Sequence, residues 1–158
     1  METAIFAAGC FWGVQFYFDQ VPGVIETEVG YIGGHKENPS YEDVCYRDTH
    51  HAEAVRITFD PKKVSYETLL RQFFRMHDFT QLNKQGPDVG DQYRSAIFYT
   101  NDAQKKQAEA CIASIKKLEP IVTTIEKATK FWPAEDYHQH YYAKNQHQPY
   151  CHTYTKRF

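Results

Sequence analysis

Residues 53–59 are the stretch that most limits how this chain can fold. Glu53, Val55, Ile57 and Phe59 fall on one side of an extended segment, and Ala54, Arg56 and Thr58 on the other. Such alternation predicts a sheet with one covered face. The segments on either side supply that cover. Thr3–Ala8 reads as a short buried strand, broken at Gly9-Cys10, and Phe11–Phe18 continues with helical spacing. Pro22-Gly23 turns the chain into a second strand, Ile25–Ile32. After a loop through Pro39, Ser40 is placed to cap a short helix over Tyr41–Tyr46. Beyond Phe59, Ser65 caps a helix from Tyr66 to about Met76, with Leu69, Leu70, Phe73, Phe74 and His77 on one side. A long loop follows over 78–92, then a strand from Tyr93 to Thr100. Asn101 caps a helix running to about Leu118, striped by Ala108, Cys111, Ile112, Ile115 and Leu118. Thr123–Ala128 reads as a last strand, Ala134 to about Lys144 as a final helix, and the rest as an irregular tail. The order β-α-β-β-α-β is that of a split-βαβ, ferredoxin-like core. This predicts an α/β (α+β) two-layer sandwich with a mixed sheet and extra helices.

The 158 residues suit one domain. Leucine is scarce, with four in the chain, whereas 11 Phe, 12 Tyr and 2 Trp make the chain 16% aromatic. Large rings must therefore build the core, with Phe6, Phe59, Phe73, Phe74 and Phe98 in the places leucine would fill. A net charge of −2 gives no footing for nucleic acid or an anionic membrane. No apolar run reaches membrane-span length, and the start lacks a signal-peptide pattern. A cytoplasmic monomer with reduced thiols is expected.

Cys10, Cys45, Cys111 and Cys151 form no C-x-x-C pair. Cys10 follows a glycine at a strand-to-helix junction, where unsatisfied helix N–H groups favour a thiolate. From spacing alone it is either such a reactive thiol or a small residue packed in a tight turn. Glu53 shares the core face of its strand. Buried, it would stay protonated and serve as a general acid; frayed, it would face water. Tyr41, Tyr93 and Asp88 flank loops near these elements, and Phe11 and Trp12 follow the thiol directly. Tyrosine hydroxyls there can stabilise charge on an oxygen, and the rings can wall an apolar pocket or simply fill the core. Cys45 and Cys111 read as packed thiols. Cys151, in the polar tail, has the placement of a partner thiol on a mobile arm. His50, His51, His138, His140, His147 and His152, with Cys151-His152, raise a metal reading. Neighbours two apart on a helix do not face each other, so His138 and His140 make a poor chelate, and surface histidines with no metal ligands are expected. A cysteine hydrolase or acyltransferase pairing Cys10 with His51 or His77, and a metal-binding module, are the competing readings.

Gly9-Cys10-Phe11-Trp12-Gly13 resembles the signature of the A-type peptide methionine sulfoxide reductase family. The likeness extends in order through Pro22-Gly23-Val24, Gly30 to Gly34, Asn38 to Cys45 and His51 to Val55. It continues through His77-Asp78, Asp88 to Gly90, Gln92 to Ser95, Pro133 to Gln139 and Tyr150-Cys151. Nearly the whole chain is covered. The resemblance implies a split-βαβ fold and reduction of methionine S-sulfoxide, free or in proteins, with no cofactor and with thioredoxin as reductant. It implies Cys10 as nucleophile, Glu53 as acid, Tyr41 and Tyr93 on the sulfoxide oxygen, and Asp88 in support. Phe11 and Trp12 would hold the methyl group, and Cys151, in the tail over 145–158, would resolve the sulfenic acid. The chain departs from the family pattern at Phe79, Pro87 and Asp91, and its segment 146–158 has no glycine.

Overall fold

The structure, a computed structural model, describes residues 1–47 and 49–145. Its centre is a six-stranded sheet in the order β7-β6-β1-β3-β2-β8. Strand β1 (Glu2–Ala8) lies between β3 (Ala52–Phe59) and β6 (Ser95–Tyr99), antiparallel to both, and β2 (Val24–Ile32) pairs antiparallel with β3. These four strands and their connecting helices α1 (Phe11–Asp19) and α3 (Tyr66–Arg75) form the expected split-βαβ core. Helix α4 (Asp102–Lys116) carries the chain to β7 (Thr124–Lys127), which joins β6 in parallel and makes the sheet mixed. On the opposite edge, β8 (Trp132–Pro133) adds two residues against β2. A hairpin, β4 (Lys84–Gln85) with β5 (Asp88–Val89), organises part of the long loop over 78–92.

Local sequence signals account for the helix starts. Ser40 caps α2 (Tyr41–Tyr46) and exchanges hydrogen bonds with Asp43 in a capping box. Ser65 and Asn101 accept from Thr68 and Gln104 at the starts of α3 and α4. Each satisfies a helix N–H that would otherwise lack a partner.

The helix-covered face of the sheet holds the main core. Phe6 stacks on Phe18 (5.5 Å) and Phe73 (5.1 Å), and Phe59, Phe73 and Phe74 are fully buried beside Leu69 and Leu70. Phe98 is equally buried on the other face, among Ala7, Ala52, Ala54 and Ala96. Rings do replace leucine in the core. Phe79 is fully buried edge-on against Phe74 at 5.7 Å, and its carbonyl accepts from Val122. It anchors the loop as part of the core.

Several sequence expectations need correction. Tyr93 ends a 3-10 turn (Asp91–Tyr93) and is not the first residue of a strand. Helix α4 ends at Lys116, so Leu118 lies beyond it and is exposed. The expected helix over 134–144 is broken. Asp136–His138 makes one 3-10 turn, Gln139 is extended, His140 has φ 53°, and only Tyr141–Asn145 (α5) is α-helical. Tertiary bonds override helix propensity there. The Gln139 side chain accepts from the Val29 N–H and donates to the Val29 and Ala134 carbonyls, and Ala134 N–H also donates to Val29. These bonds hold the segment flat against the β2 edge.

Candidate active site

Gly9 has φ 90°, a conformation costly for residues with a Cβ. It turns the end of β1 into α1 and leaves Cys10 at the N-cap. Cys10 is 6% exposed and makes no capping bond from its side chain. The sequence left it as reactive or merely packed; the fold puts it at a helix N-terminus beside a carboxyl group. That carboxyl belongs to Glu53, 1% exposed on the helix-covered face of β3, so it is not frayed. Its Oε1 accepts the Phe11 N–H at 3.3 Å, while its buried Oε2 has no hydrogen-bond partner among the described residues. Burial, then the nearby Cys10, push its pKa well above the usual carboxylate range. Asp88 adds to this and the Phe11 bond only partly opposes it. The raised pKa favours the protonated form of Glu53, which has one unengaged oxygen among the described residues and lies beside a thiol.

Aromatic groups line the approach. The fully buried Phe11 ring lies 5.7 Å from Tyr31, 6.3 Å from Tyr41 and 5.3 Å from His138. Half-buried Trp12 stacks face to face on Tyr141 at 3.8 Å, and its indole N–H donates to His138 Nδ1 at 2.9 Å. Tyr41, the first residue of α2, has its ring tilted against His138, 4.3 Å between centroids. Its backbone N–H donates to Glu135 Oε2, and Tyr31 O–H donates to Glu135 Oε1, both at 3.0 Å. The Tyr41 and Tyr93 hydroxyls are held neutral, chiefly by burial and then by Glu53. Neutral phenols suit the donor role. Asp88, on the β4–β5 hairpin, acts electrostatically on both Glu53 and Tyr93. Phe11 thus bonds Glu53 through its backbone, Tyr41, Tyr93 and Asp88 lie within electrostatic reach of Glu53, and Trp12 joins the cluster through His138. Cys151 lies outside the described residues.

Sequence reading missed several neighbours. His138, read as a surface histidine, is 1% exposed and orients Trp12. Cys45 is hydrogen-bonded by Tyr41 and Gln92 and lies within electrostatic reach of Glu53 and Cys10. Burial first of all raises its thiol pKa. The repeated aromatic spacing at Tyr137-His138 and Tyr141 was the available signal, but no local pattern shows that it faces Trp12.

The competing chemistry finds less support. His51 Nδ1 accepts from Gly34 N–H (3.1 Å), so Nε2 carries the proton and donates to the Lys36 carbonyl (2.7 Å). His77 Nδ1 donates to the Phe73 carbonyl, leaving Nε2 to accept from Ser95 Oγ, both at 2.7 Å. In each ring both nitrogens are committed to structural bonds, so neither histidine is set as a base for Cys10. Among the described residues, no group of three or more His, Cys, Asp or Glu is arranged to hold a metal ion. No helix among them is long and apolar enough to cross a membrane. A groove of about 640 Å³ between α3 and α4, lined by Arg71 and Cys111 among others, shares no residue with this site.

Known proteins match both the sequence and the fold. The peptide methionine sulfoxide reductase family profile matches residues 2–158. The peptide methionine sulfoxide reductase MsrA of Methanosarcina acetivorans is 56% identical over 148 residues, 91% of this chain and 79% of that protein. The MsrA of Geobacter sulfurreducens is 53% identical over 148 residues, 91% of each chain. The crystal structure of reduced Mxr1 from Saccharomyces cerevisiae superposes with a TM-score of 0.90 at 35% identity, covering 98% of this chain and 92% of that one. Methionine sulfoxide reductase A of Corynebacterium diphtheriae superposes with a TM-score of 0.81 at 35% identity, covering 95% and 77%. With this likeness over its whole length, and a buried acid beside a thiol at the centre of its fold, the chain belongs to the peptide methionine sulfoxide reductase family.

Proposed function

We propose that Cys10 carries out the reduction as nucleophile, Glu53 as acid, and Tyr41 and Tyr93 as donors to the sulfoxide oxygen. The observation that carries this reading is the buried Oε2 of Glu53, without a hydrogen-bond partner among the described residues, on a carboxyl whose pKa is raised by burial and by the nearby Cys10. The α1 N-terminus favours negative charge at Cys10, and a neutral Glu53 adds no repulsion. The Cys10 thiolate attacks the sulfoxide sulfur. Glu53 transfers its proton to the oxygen as negative charge grows there, with the phenols donating hydrogen bonds. The substrate's sulfur–oxygen bond and the transient bond between the two sulfurs then break as the oxygen passes to the Cys10 sulfur; methionine leaves, reduced by two electrons, and Cys10, oxidised by two, holds the oxygen as a sulfenic acid. Phe11 and Trp12 supply an apolar wall for the methyl group, which selects the S epimer, and Asp88 supports Glu53 and Tyr93.

The chain works as one catalytic domain over 1–158, with Cys151 in the segment over 145–158 as the resolving thiol. Its thiolate displaces hydroxide from Cys10, which leaves as water once protonated, and a disulfide forms. A thioredoxin-type dithiol then reduces that disulfide; Saccharomyces cerevisiae Mxr1 has itself been solved in complex with Trx2. The reading includes a monomer in the cytoplasm, where thiols stay reduced.

The test is stereospecific turnover with and without Cys151. The intact protein should reduce methionine S-sulfoxide and leave the R epimer. Cys151→Ser should release one equivalent of methionine and then stop under thioredoxin. No turnover on either epimer sinks the assignment, and full cycling by Cys151→Ser sinks the role of that thiol.

A further inference from the structure

Glu135 contacts none of the groups that attack or protonate the sulfoxide, yet it touches what holds one of them. Its carboxylate receives the backbone N–H of Tyr41 on Oε2 and the hydroxyl of Tyr31 on Oε1, each at 3.0 Å. Helix α2 is only six residues long. Ser40 and Asp43 close its capping box, but the Tyr41 N–H, at the first helical position, is outside that exchange. A carboxylate reaching in from a distant segment satisfies that N–H and complements the positive end of the helix. The two bonds are charge-assisted and fix both oxygens in one orientation. Glu135 cannot easily drift: Ala134 N–H donates to Val29, and the Gln139 side chain bonds both backbone polar groups of Val29. One side chain thus ties the β2 edge to the start of α2.

We propose that Glu135 is a positioning residue for the sulfoxide reduction, setting the Tyr41 hydroxyl against the substrate oxygen by clamping the Tyr41 backbone. This rests on the role assigned to Tyr41 above. Within α2 the Tyr41 hydroxyl meets Cys45 one turn on, and its ring leans on His138 and Phe11, but among the described residues its backbone N–H is held by Glu135 alone. Releasing the N–H lets the first turn of α2 shift, and the hydroxyl moves with it. Displacements on the scale of an ångström are costly when a donor must meet charge in the transition state. Tyr31 serves as the internal comparison, since it shares the carboxylate but sits on β2, held by pairing with β3 on one side and β8 on the other.

The test is a mutant cycle read by single-turnover release of methionine from methionine S-sulfoxide. Glu135→Met keeps a side chain of similar reach but offers neither Tyr41 nor Tyr31 an acceptor oxygen. It should slow the step about tenfold, with a smaller change in the substrate concentration needed for half-saturation. Tyr41→Phe removes the hydroxyl being positioned, so adding Glu135→Met to it should cost less than about twofold more. Tyr31→Phe breaks only the other bond and should retain the rate within about twofold. Independent, multiplying losses from Tyr41→Phe and Glu135→Met would overturn the proposal. So would an unchanged rate in Glu135→Met, or an equal loss in Tyr31→Phe. Should Glu135→Met fail to fold, Glu135→Asp, with the charge kept and the reach shortened, carries the same cycle. An inactive parent protein would instead sink the functional assignment itself, which keeps the two failures distinct.

Discussion

Glu53 and Glu135 both border the aromatic cluster around Phe11, and the fold makes opposite things of them. Glu53 sits on a central strand, sealed from water, with one backbone donor on one oxygen. Glu135 sits on an irregular edge segment, partly open to solvent. Burial acts to raise its pKa too, but donors from Tyr41, its own backbone and Tyr31 outweigh that and hold it below the usual range. The first is kept as an acid, the second as an anion. Identical side chains differ because of the count of donors and the access to water, not because of intrinsic chemistry.

Removing the thiol beside Glu53 has the largest effect. Cys10→Ser should leave no measurable methionine release, since a neutral hydroxyl is a poor nucleophile here. Residual turnover would mean that another thiol, with Cys45 the nearest candidate, does the chemistry. Next is Glu53→Gln. The amide can still accept from Phe11 and still donate a hydrogen bond, but it cannot deliver a proton. A loss of roughly 10²–10⁴-fold in the single-turnover rate is expected. A rate unchanged by this substitution would leave Glu53 as mere packing and erase the contrast with Glu135. Tyr41→Phe should cost less, on the order of 10–100-fold, because Tyr93 remains as a second donor. Comparison of Tyr41→Phe with Tyr93→Phe shows whether the two donors share the load.

The smallest effect is on stability and has opposite signs at the two sites. Above about pH 4.3, an unfolded glutamate loses its proton. Folded Glu53 keeps its proton to higher pH, so stability falls as pH rises from that point through its raised folded pKa. Glu135 does the reverse. Its contribution is present above the unfolded pKa and is lost as pH falls through its lowered folded pKa, a small term given its exposure. Denaturant midpoints measured against pH should therefore show a flatter decline in Glu53→Gln above about pH 4.3 than in the parent. Equal slopes would mean that Glu53 is ionised in the folded state. Glu135→Gln should be distinguishable from the parent only at neutral pH, and should converge with it in acid.

Much of the fold was legible because the signals are local. Ser40, Ser65 and Asn101 each bond a backbone group three residues on, so a cap can be read from a short window. The alternation from Glu53 to Phe59 placed a carboxyl on the core face before any packing was known. The segment from Phe131 to Asn145 was not legible in the same way. Its composition and spacing favour a helix, whereas its geometry is set by Val29, Trp12 and Tyr41, which are about a hundred residues away in sequence. His138 was misplaced for that reason: a histidine on a helix face and a histidine under an indole look alike in sequence.

The sequence by itself determined the order of the split-βαβ core elements, the aromatic core and the candidate set Cys10, Glu53, Tyr41, Tyr93 and Asp88. Periodicity and caps are properties of neighbouring residues, and the ordered motifs survive without knowledge of contacts. Only the tertiary structure decided that Glu53 is protonated with one oxygen unengaged, that His138 orients Trp12, and that Glu135 holds the start of α2. Protonation and orientation depend on desolvation and on donors brought in from distant strands, and these exist only once the chain has closed on itself.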